Sequence, residues 1–253
     1  AGVAVFGSSQ ISAVTTSGVQ ALTTAEVSAV STVGVSGVTT SQAAVLSSSQ
    51  VGALTTANVA LLTSSQLGAV TSTAVTGLST SQVAVVTTSA VAGLTTSQAK
   101  ALNSAQVSAI TTSVVAVLTT GQVASIATSS ISGFLTAQVA VLGSSQLASL
   151  TTAQAAVFSS NQISVVTTTA VAGLSTAQAV VLSSTQVSGL TTANVALLTS
   201  AQFGAINTSA VAGLTTAQIV SVTTATVAGL TTAQAKALNL SLIHISEPTR
   251  PER

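Results

Sequence analysis

An eight-residue repeat runs through most of the chain and limits what it can fold into. From Gly7 to Leu238 the sequence divides into 29 octads without insertion or deletion, and one of them reads TTAQIVSV (215–222). With each octad numbered 1 to 8, position 2 is always Ser or Thr, and positions 5 and 8 are always apolar. Position 4 is Gln in 17 octads. Any fold must therefore repeat its local structure every eight residues.

A longer repeat lies over the octads. TTANVALLT at 55–63 recurs unchanged at 191–199, and TTSQAKALN at 95–103 recurs with one change at 231–239. Both pairs are separated by the same displacement of 17 octads. The array has grown by duplication of blocks, and a fold tolerates such growth when each repeat contacts mainly its neighbours.

The spacing of the apolar positions favours a helix over a strand. Positions 5 and 8 are separated by three, then five residues, and odd spacings place successive apolar residues on opposite faces of a strand. On a helical wheel at about 100° per residue, positions 4, 5 and 8 fall within an arc of about 100°. Positions 2, 3 and 6, the last of which holds Lys100 and Lys236, occupy the other side. The octad therefore predicts a short amphipathic helix.

The helix must break once in every octad. Eight residues turn the wheel by about 800°, so a continuous helix would lose its apolar stripe after each repeat. Position 1 is Thr, Ser, Asn or Gly in 27 octads, and these residue types cap helix N-termini. A Gln three residues later completes a capping box, as in Thr215 with Gln218 and Asn103 with Gln106.

Residues 1–238 are therefore predicted to form an all-α solenoid of short capped helices, one per octad. A single octad has too small a core to fold alone, so stability must come from stacking. The alternative is a β-solenoid, which the many Val and Thr residues favour by propensity. Octads that end in Gly-Leu, Gly-Val or Gly-Phe often lie five octads apart. Either five octads make a whole number of turns, with the small residues at the places where coils approach closely, or the spacing was inherited through block duplication.

Composition excludes most function classes. Only 3% of residues are charged and Asp is absent, so no charged face can attract nucleic acid or anionic lipid. Mean hydropathy is +0.76, but Ser or Thr interrupts every apolar run before the ~18 residues of a membrane span. Cys is absent, and the only His is His244. We therefore expect no catalytic residue, no cofactor site and no metal site in the array.

Two sets of residues have an alternative functional interpretation. Lys100 and Lys236 occupy equivalent positions in duplicated blocks, which indicates solvated side chains more than a binding role. Asn207-Thr208-Ser209 matches an N-glycosylation sequon, a short match that a Thr-rich chain produces by chance.

The octads resemble the LTTAQ tracts of very large secreted or surface proteins of Gram-negative bacteria, which are often labelled adhesins or haem-utilisation proteins. The resemblance covers residues 7–238 and implies a spacer or stalk in an extracellular or cell-surface location, without a membrane span. It does not extend to haem binding, because the array has no His, Met, Cys or Tyr ligand.

Two functions from different classes follow. The first is a structural stalk without catalytic activity. The second is a binding module whose regularly spaced hydroxyls at position 2 contact an ordered surface such as ice or a polysaccharide. Position 2 suits the second function because capping at position 1 does not require a hydroxyl there.

The last residues follow a different pattern. Residues 239–253 contain both prolines, His244 and four of the seven charged residues. LSLIHISEPTR (240–250) is similar to the in-frame translation of a transposase-type sequencing-library adapter. In the 17-octad register Asn239 still matches Asn103, and Leu240 is the first residue that departs. We therefore expect a non-native tail after Asn239, in place of further octads beginning SAQVSAI.

Overall fold

The computed structural model describes residues 2–238 and confirms the helical prediction. Within this range there is no β-strand, and each of the 29 octads contains one short helix. A 3-10 turn at Val3–Val5 precedes them. The protein is an all-α solenoid, and the β-solenoid alternative is wrong. The predicted non-native tail lies outside the described residues, and no helix of 2–238 has the length and hydropathy to cross a membrane.

The helices begin at position 2 of their octads and end at positions 5 to 7. They are α1 Ser8–Ala13, α2 Thr16–Ala21, α3 Thr24–Ser28, α4 Thr32–Val35, α5 Thr40–Ala43, α6 Ser48–Ala53, α7 Thr56–Ala60, α8 Ser64–Ala69, α9 Ser72–Val75, α10 Thr80–Val83, α11 Thr88–Val91, α12 Thr96–Ala101, α13 Ser104–Ala109, α14 Thr112–Val117, α15 Thr120–Ser125, α16 Thr128–Ile131, α17 Thr136–Val139, α18 Ser144–Ser149, α19 Thr152–Ala156, α20 Ser160–Ser164, α21 Thr168–Val171, α22 Thr176–Val181, α23 Ser184–Gly189, α24 Thr192–Ala196, α25 Ser200–Ala205, α26 Thr208–Val211, α27 Thr216–Ser221, α28 Thr224–Val227 and, running on to position 8, α29 232–238.

Extended residues separate successive helices. Between α12 and α13, Leu102 has φ −63° and ψ 134°, and Asn103 has φ −84° and ψ 170°. Across residues 2–238 no break uses a positive φ or a cis peptide bond. The chain therefore changes direction at positions 8 and 1 without the left-handed glycine that ends many helices.

The predicted caps are present. In every helix whose octad begins with Ser, Thr or Asn, the side chain at position 1 accepts a hydrogen bond from the backbone N–H at position 4. The two predicted capping boxes form. Thr215 N donates to Gln218 Oε1 at 2.8 Å, and Asn103 N donates to Gln106 Oε1 at 3.0 Å. Each break is thus specified by the residues that flank it.

The described residues divide between Phe134 and Leu135 into two compact units, a division that the sequence did not predict. In the described part of each unit, a helix packs on the helix three octads later, as α9 does on α12 and α20 on α23. Among residues 2–238, the extensive helix contacts within each unit join helices three octads apart, and none joins helices five octads apart. Five octads therefore do not make one turn.

Burial follows the predicted helical face. Position 4 is buried from the fourth octad onward, position 5 is buried in nearly all octads, and position 3 is exposed throughout residues 2–238. Lys100 and Lys236 at position 6 are exposed, as expected. The interior therefore consists of a polar row at position 4 beside the apolar rows at positions 5 and 8.

Successive coils approach most closely where position 7 is glycine. A Cβ on Gly77 would overlap the carbonyl oxygen of Ser48, and one on Gly213 would overlap that of Ser184. All eight glycines at position 7 meet a serine at position 2 of the octad three earlier. These eight contacts are Gly37 to Ser8, Gly77 to Ser48, Gly93 to Ser64, Gly133 to Ser104, Gly173 to Ser144, Gly189 to Ser160, Gly213 to Ser184 and Gly229 to Ser200.

The pairing is also visible in the sequence, between position 7 of one octad and position 2 of the octad three earlier. Where position 7 is larger than glycine, the residue at that earlier position 2 is Thr, with Ser72 before Ala101 as the one exception. Serine lacks the γ-methyl group of threonine, so serine and glycine together leave space for the close approach of two backbones. We call this pattern the Ser–Gly rule.

The Ser–Gly rule predicts different effects of two Gly→Ala substitutions. Gly77→Ala forces the backbone away from Ser48 and should lower the free energy of unfolding by about 1–3 kcal/mol. Gly121→Ala is the control, because Gly121 lies at the exposed position 3 and the nearest atom to its added Cβ, Thr96 Cγ2, is 3.7 Å away. It should stabilise the helix by up to about 1 kcal/mol. Urea unfolding measures both, and equal effects would contradict the rule.

Candidate functional site

The described residues hold few groups that could perform chemistry. Glu26 is the one carboxylic side chain within residues 2–238, and no His or Cys lies in that range. No group of three or more potential metal-ligating side chains occurs there. The remaining titratable side chains of this range are Lys100 and Lys236, which are both exposed.

Glu26 has a structural role at the start of α3. Its Oε2 accepts hydrogen bonds from Thr23 N and Thr23 Oγ1, both at 2.9 Å, and its own N–H donates to Thr23 Oγ1 at 3.2 Å. The bond from the Thr23 backbone, followed by that from its side chain, lowers the pKa of the Glu26 carboxyl below its usual value. Its capping contribution is present above the unfolded-state pKa and is lost as the pH falls through the lowered one.

The most extensive polar arrangement is the row of glutamines at position 4. Each side chain uses its two ends differently. In α12, Gln98 Oε1 accepts from Thr95 N at 2.7 Å and so completes the capping box. The Nε2 group of Gln98 donates to the carbonyl groups of Leu67, at 2.7 Å, and Val70. One side chain thus caps its own helix and hydrogen-bonds the preceding coil.

The break between helices explains why these carbonyl groups need a donor. Position 8 lies beyond the end of the helix, so its carbonyl has no partner within the octad. The coil that follows covers this carbonyl, and a buried carbonyl without a donor costs about 1–3 kcal/mol. The glutamine of the octad four later supplies that donor. Its Nε2 donates to the carbonyl at position 8 and also to the carbonyl at position 5 of the same earlier octad.

The same contact recurs along both units. It is formed by Gln42, Gln50, Gln66, Gln82, Gln98, Gln106 and Gln122 in the first unit and by Gln178, Gln186, Gln202, Gln218 and Gln234 in the second. The acceptor at position 8 is always 28 residues earlier. Equivalent points on successive coils are therefore more than three and fewer than four octads apart.

The first octads differ because no described coil precedes them. Position 4 is exposed in Gln10 and half-buried in Gly18 and Glu26, whereas every later position 4 within residues 2–238 is buried. A carboxylate such as Glu26 can accept the capping hydrogen bond but cannot donate to a carbonyl. The only acid in the array thus lies where the second hydrogen bond has no described acceptor.

Asn58 and Asn194 stand at position 4 in place of glutamine and form only part of its hydrogen bonds. Their Nδ2 groups donate to Val30 O and Val166 O, each at 2.8 Å. The side chain is one methylene shorter, and Oδ1 of both residues is buried without a hydrogen-bond partner. These two sites, which are related by the 17-octad duplication, are local defects of the row.

The sequon asparagine is engaged in the fold. Asn207 Oδ1 accepts from Ala210 N at 2.8 Å, so Asn207 caps α26. Its Nδ2 donates to Val180 O at 3.1 Å and Leu182 O at 3.0 Å. N-glycosylation would modify this same nitrogen and remove these bonds, so the folded array does not present Asn207 as an acceptor.

The hydroxyls at position 2 are not used inside the described array. Most of them are exposed, and none forms a hydrogen bond with another of residues 2–238. Their presence in every octad is therefore not explained by capping, although the Ser–Gly rule explains the choice between serine and threonine.

Three internal voids of the first unit are small and apolar. Their volumes are about 30, 30 and 50 Å³, and Val and Leu side chains such as Val75, Leu78 and Leu54 line them. Gln42 is the one polar residue among the linings of these three cavities, and its Nε2 donates to Ile11 O and Val14 O. The cavities therefore offer little polar character that could orient a ligand.

No protein-family model, no curated protein and no solved structure matches the chain.

Gln98→Glu separates the two roles of the glutamine, because the carboxylate keeps the capping acceptor but loses the donor to the preceding coil. Gln98 is 1% exposed, and we expect a loss of at least about 2 kcal/mol at pH 7. The matched control is Gln10→Glu, which should change stability by less than about 0.5 kcal/mol because Gln10 is exposed.

The pH dependence gives a further test of the same variant. Burial against carbonyl oxygens raises the pKa of the introduced carboxyl in the folded state. The stability of Gln98→Glu should then be recovered below the unfolded-state pKa of about 4.3 and be lost as the pH rises through the folded-state value. Urea unfolding from pH 3.5 to 7 measures this, and a pH-independent difference from the Gln10→Glu control would refute it.

Asn58→Gln should stabilise the protein. The longer side chain brings Oε1 within reach of Thr55 N while Nε2 keeps the contact with Val30, so we expect a gain of about 1 kcal/mol. Asn194→Gln in the second unit should give a similar gain. Unfolding midpoints measure both, and two destabilised variants would show that the asparagines are not defects.

Proposed function

We propose that the chain is a structural stalk or spacer segment of a bacterial surface or secreted protein, without catalytic activity. The observation that carries this proposal is the recurrence of one hydrogen-bonded contact at position 4. The same glutamine contact joins successive coils along both units, and no octad among residues 2–238 adds a cluster of chemically active side chains. A fold built from one repeated contact can change its length by whole octads without losing a site.

The same proposal places the segment outside the cell or at the cell surface. The resemblance of residues 7–238 to LTTAQ tracts supports an extracellular or cell-surface position and an adhesin-like parent protein. The scarcity of charge agrees with a segment that does not bind nucleic acid. We also propose that residues 239–253 are not encoded with the array. A contiguous long read of the source DNA tests this, and an encoded LSLIHISEPTR followed by a stop codon would disprove it.

A stalk should shorten in proportion to the octads removed. Deletion of residues 71–206 removes one 17-octad period and joins octads in equivalent register, so the Ser–Gly rule is preserved at the junction. The chain lacks Cys, which allows fluorophores at Ala25→Cys and Ala225→Cys on the exposed position 3.

We expect the deleted chain to keep its helical circular dichroism and to show a shorter distance between the fluorophores by energy transfer. An unchanged distance, or an unfolded deletion variant, would contradict the spacer function. The same labelled pair in the full-length chain is the reference.

The second candidate function is a hydroxyl-bearing binding surface for ice or a polysaccharide. It is supported by the position-2 hydroxyls, which are mostly exposed and make no hydrogen bond within the described array. The test replaces Thr96, Thr112 and Thr120 by Val, with Ala105→Val at position 3 as a control of similar size. Only the variant with the three Thr→Val substitutions should lose inhibition of ice recrystallisation or binding in a polysaccharide pull-down. Equal activity of both variants would exclude this function.

A further inference from the structure

The last four octads, residues 207–238, leave part of their apolar side uncovered, and we call this surface the end face. Val227 at position 5 is 46% exposed. Val91 occupies the equivalent position 17 octads earlier and is 4% exposed. The octads TTSAVAGL and TTATVAGL around them are nearly identical, so the difference comes from what covers them.

The end face also presents carbonyl groups without a side-chain donor. In the earlier octads, glutamine Nε2 groups donate to the carbonyls at positions 5 and 8 of the octad four before. The corresponding carbonyls of Val211, Leu214, Val227 and Leu230 accept no side-chain hydrogen bond from residues 2–238. A partner for this surface must therefore carry amide donors spaced as in the octads.

The Ser–Gly rule restricts the partner further. Thr216, Thr224 and Thr232 occupy position 2 of the last three octads. Elsewhere a threonine at this position is matched by Ala, Val, Leu or Ser at position 7 of the octad three later, and never by Gly. The first three octads that cover the end face should therefore have a residue larger than glycine at position 7.

We propose that the end face is a docking surface for a further run of the same octads. The first octad of this run carries Gln at position 4, and each of its first three octads carries a residue larger than glycine at position 7. Residues 103–134 of this chain have these features. Gln106 stands at position 4, and Ala109, Val117 and Ser125 stand at position 7. This surface makes the array extensible at its C-terminal side, and the proposal does not depend on the stalk function.

The test uses thiol accessibility in a chain that has no cysteine of its own. Val227→Cys in the full chain should react with a maleimide at least a hundred-fold faster than the matched Val91→Cys. In a second form of each variant, the sequence of residues 103–134 replaces residues 239–253. The reaction of the thiol at 227 should then slow to within a few-fold of that at 91.

The control graft carries Glu in place of both Gln106 and Gln122 of the added copy. It keeps the apolar pattern and loses the amide donors, so the thiol at 227 should stay reactive. A thiol at 227 that already reacts slowly in the ungrafted chain would show that the end face is covered by something else. One that stays fast with the Gln-containing graft would show that octads do not dock. Either result overturns the proposal.

Discussion

The structure depends on the side-chain amide of the glutamine at position 4, which forms hydrogen bonds both with its own helix and with the preceding coil. A helix that breaks every eight residues leaves a carbonyl at position 8 without a partner, and the next coil removes that carbonyl from water. Gln98 resolves both problems, because its Oε1 caps its own helix while its Nε2 donates to Leu67 and Val70. The short helices and their stacking are therefore stabilised by the same residue.

This arrangement explains a composition that is unusual for a folded protein. The interior needs amide groups at a fixed spacing, so Gln is buried in a position that other proteins fill with an apolar residue. A charged side chain does not fit this buried row, and the one acid at position 4, Glu26, lies where no described coil precedes it. The local distance between two coils then depends on the residues of the Ser–Gly rule, because serine and glycine allow the two backbones to approach closely.

Much of the fold could be predicted from the sequence, because helix period and capping are local. The helix in each octad, the break at position 8 and the boxes at Thr215 and Asn103 follow from residue types alone. The contact between coils could not be derived in this way, because the glutamine Nε2 donates to a carbonyl that lies 28 residues earlier in the chain. A signal was present all the same: serine at position 2 and glycine at position 7 recur together three octads apart, as in Ser48 and Gly77.

The most direct measurement of the central claim is hydrogen exchange of the glutamine side-chain amides by NMR. Nε2 protons that are hydrogen-bonded to buried carbonyls exchange slowly, whereas solvated ones exchange at the rate of a free amide. We expect strong protection for Gln98, Gln106 and Gln122 and none for Gln10, which is exposed. Exchange of all four side chains at one common rate would contradict this expectation.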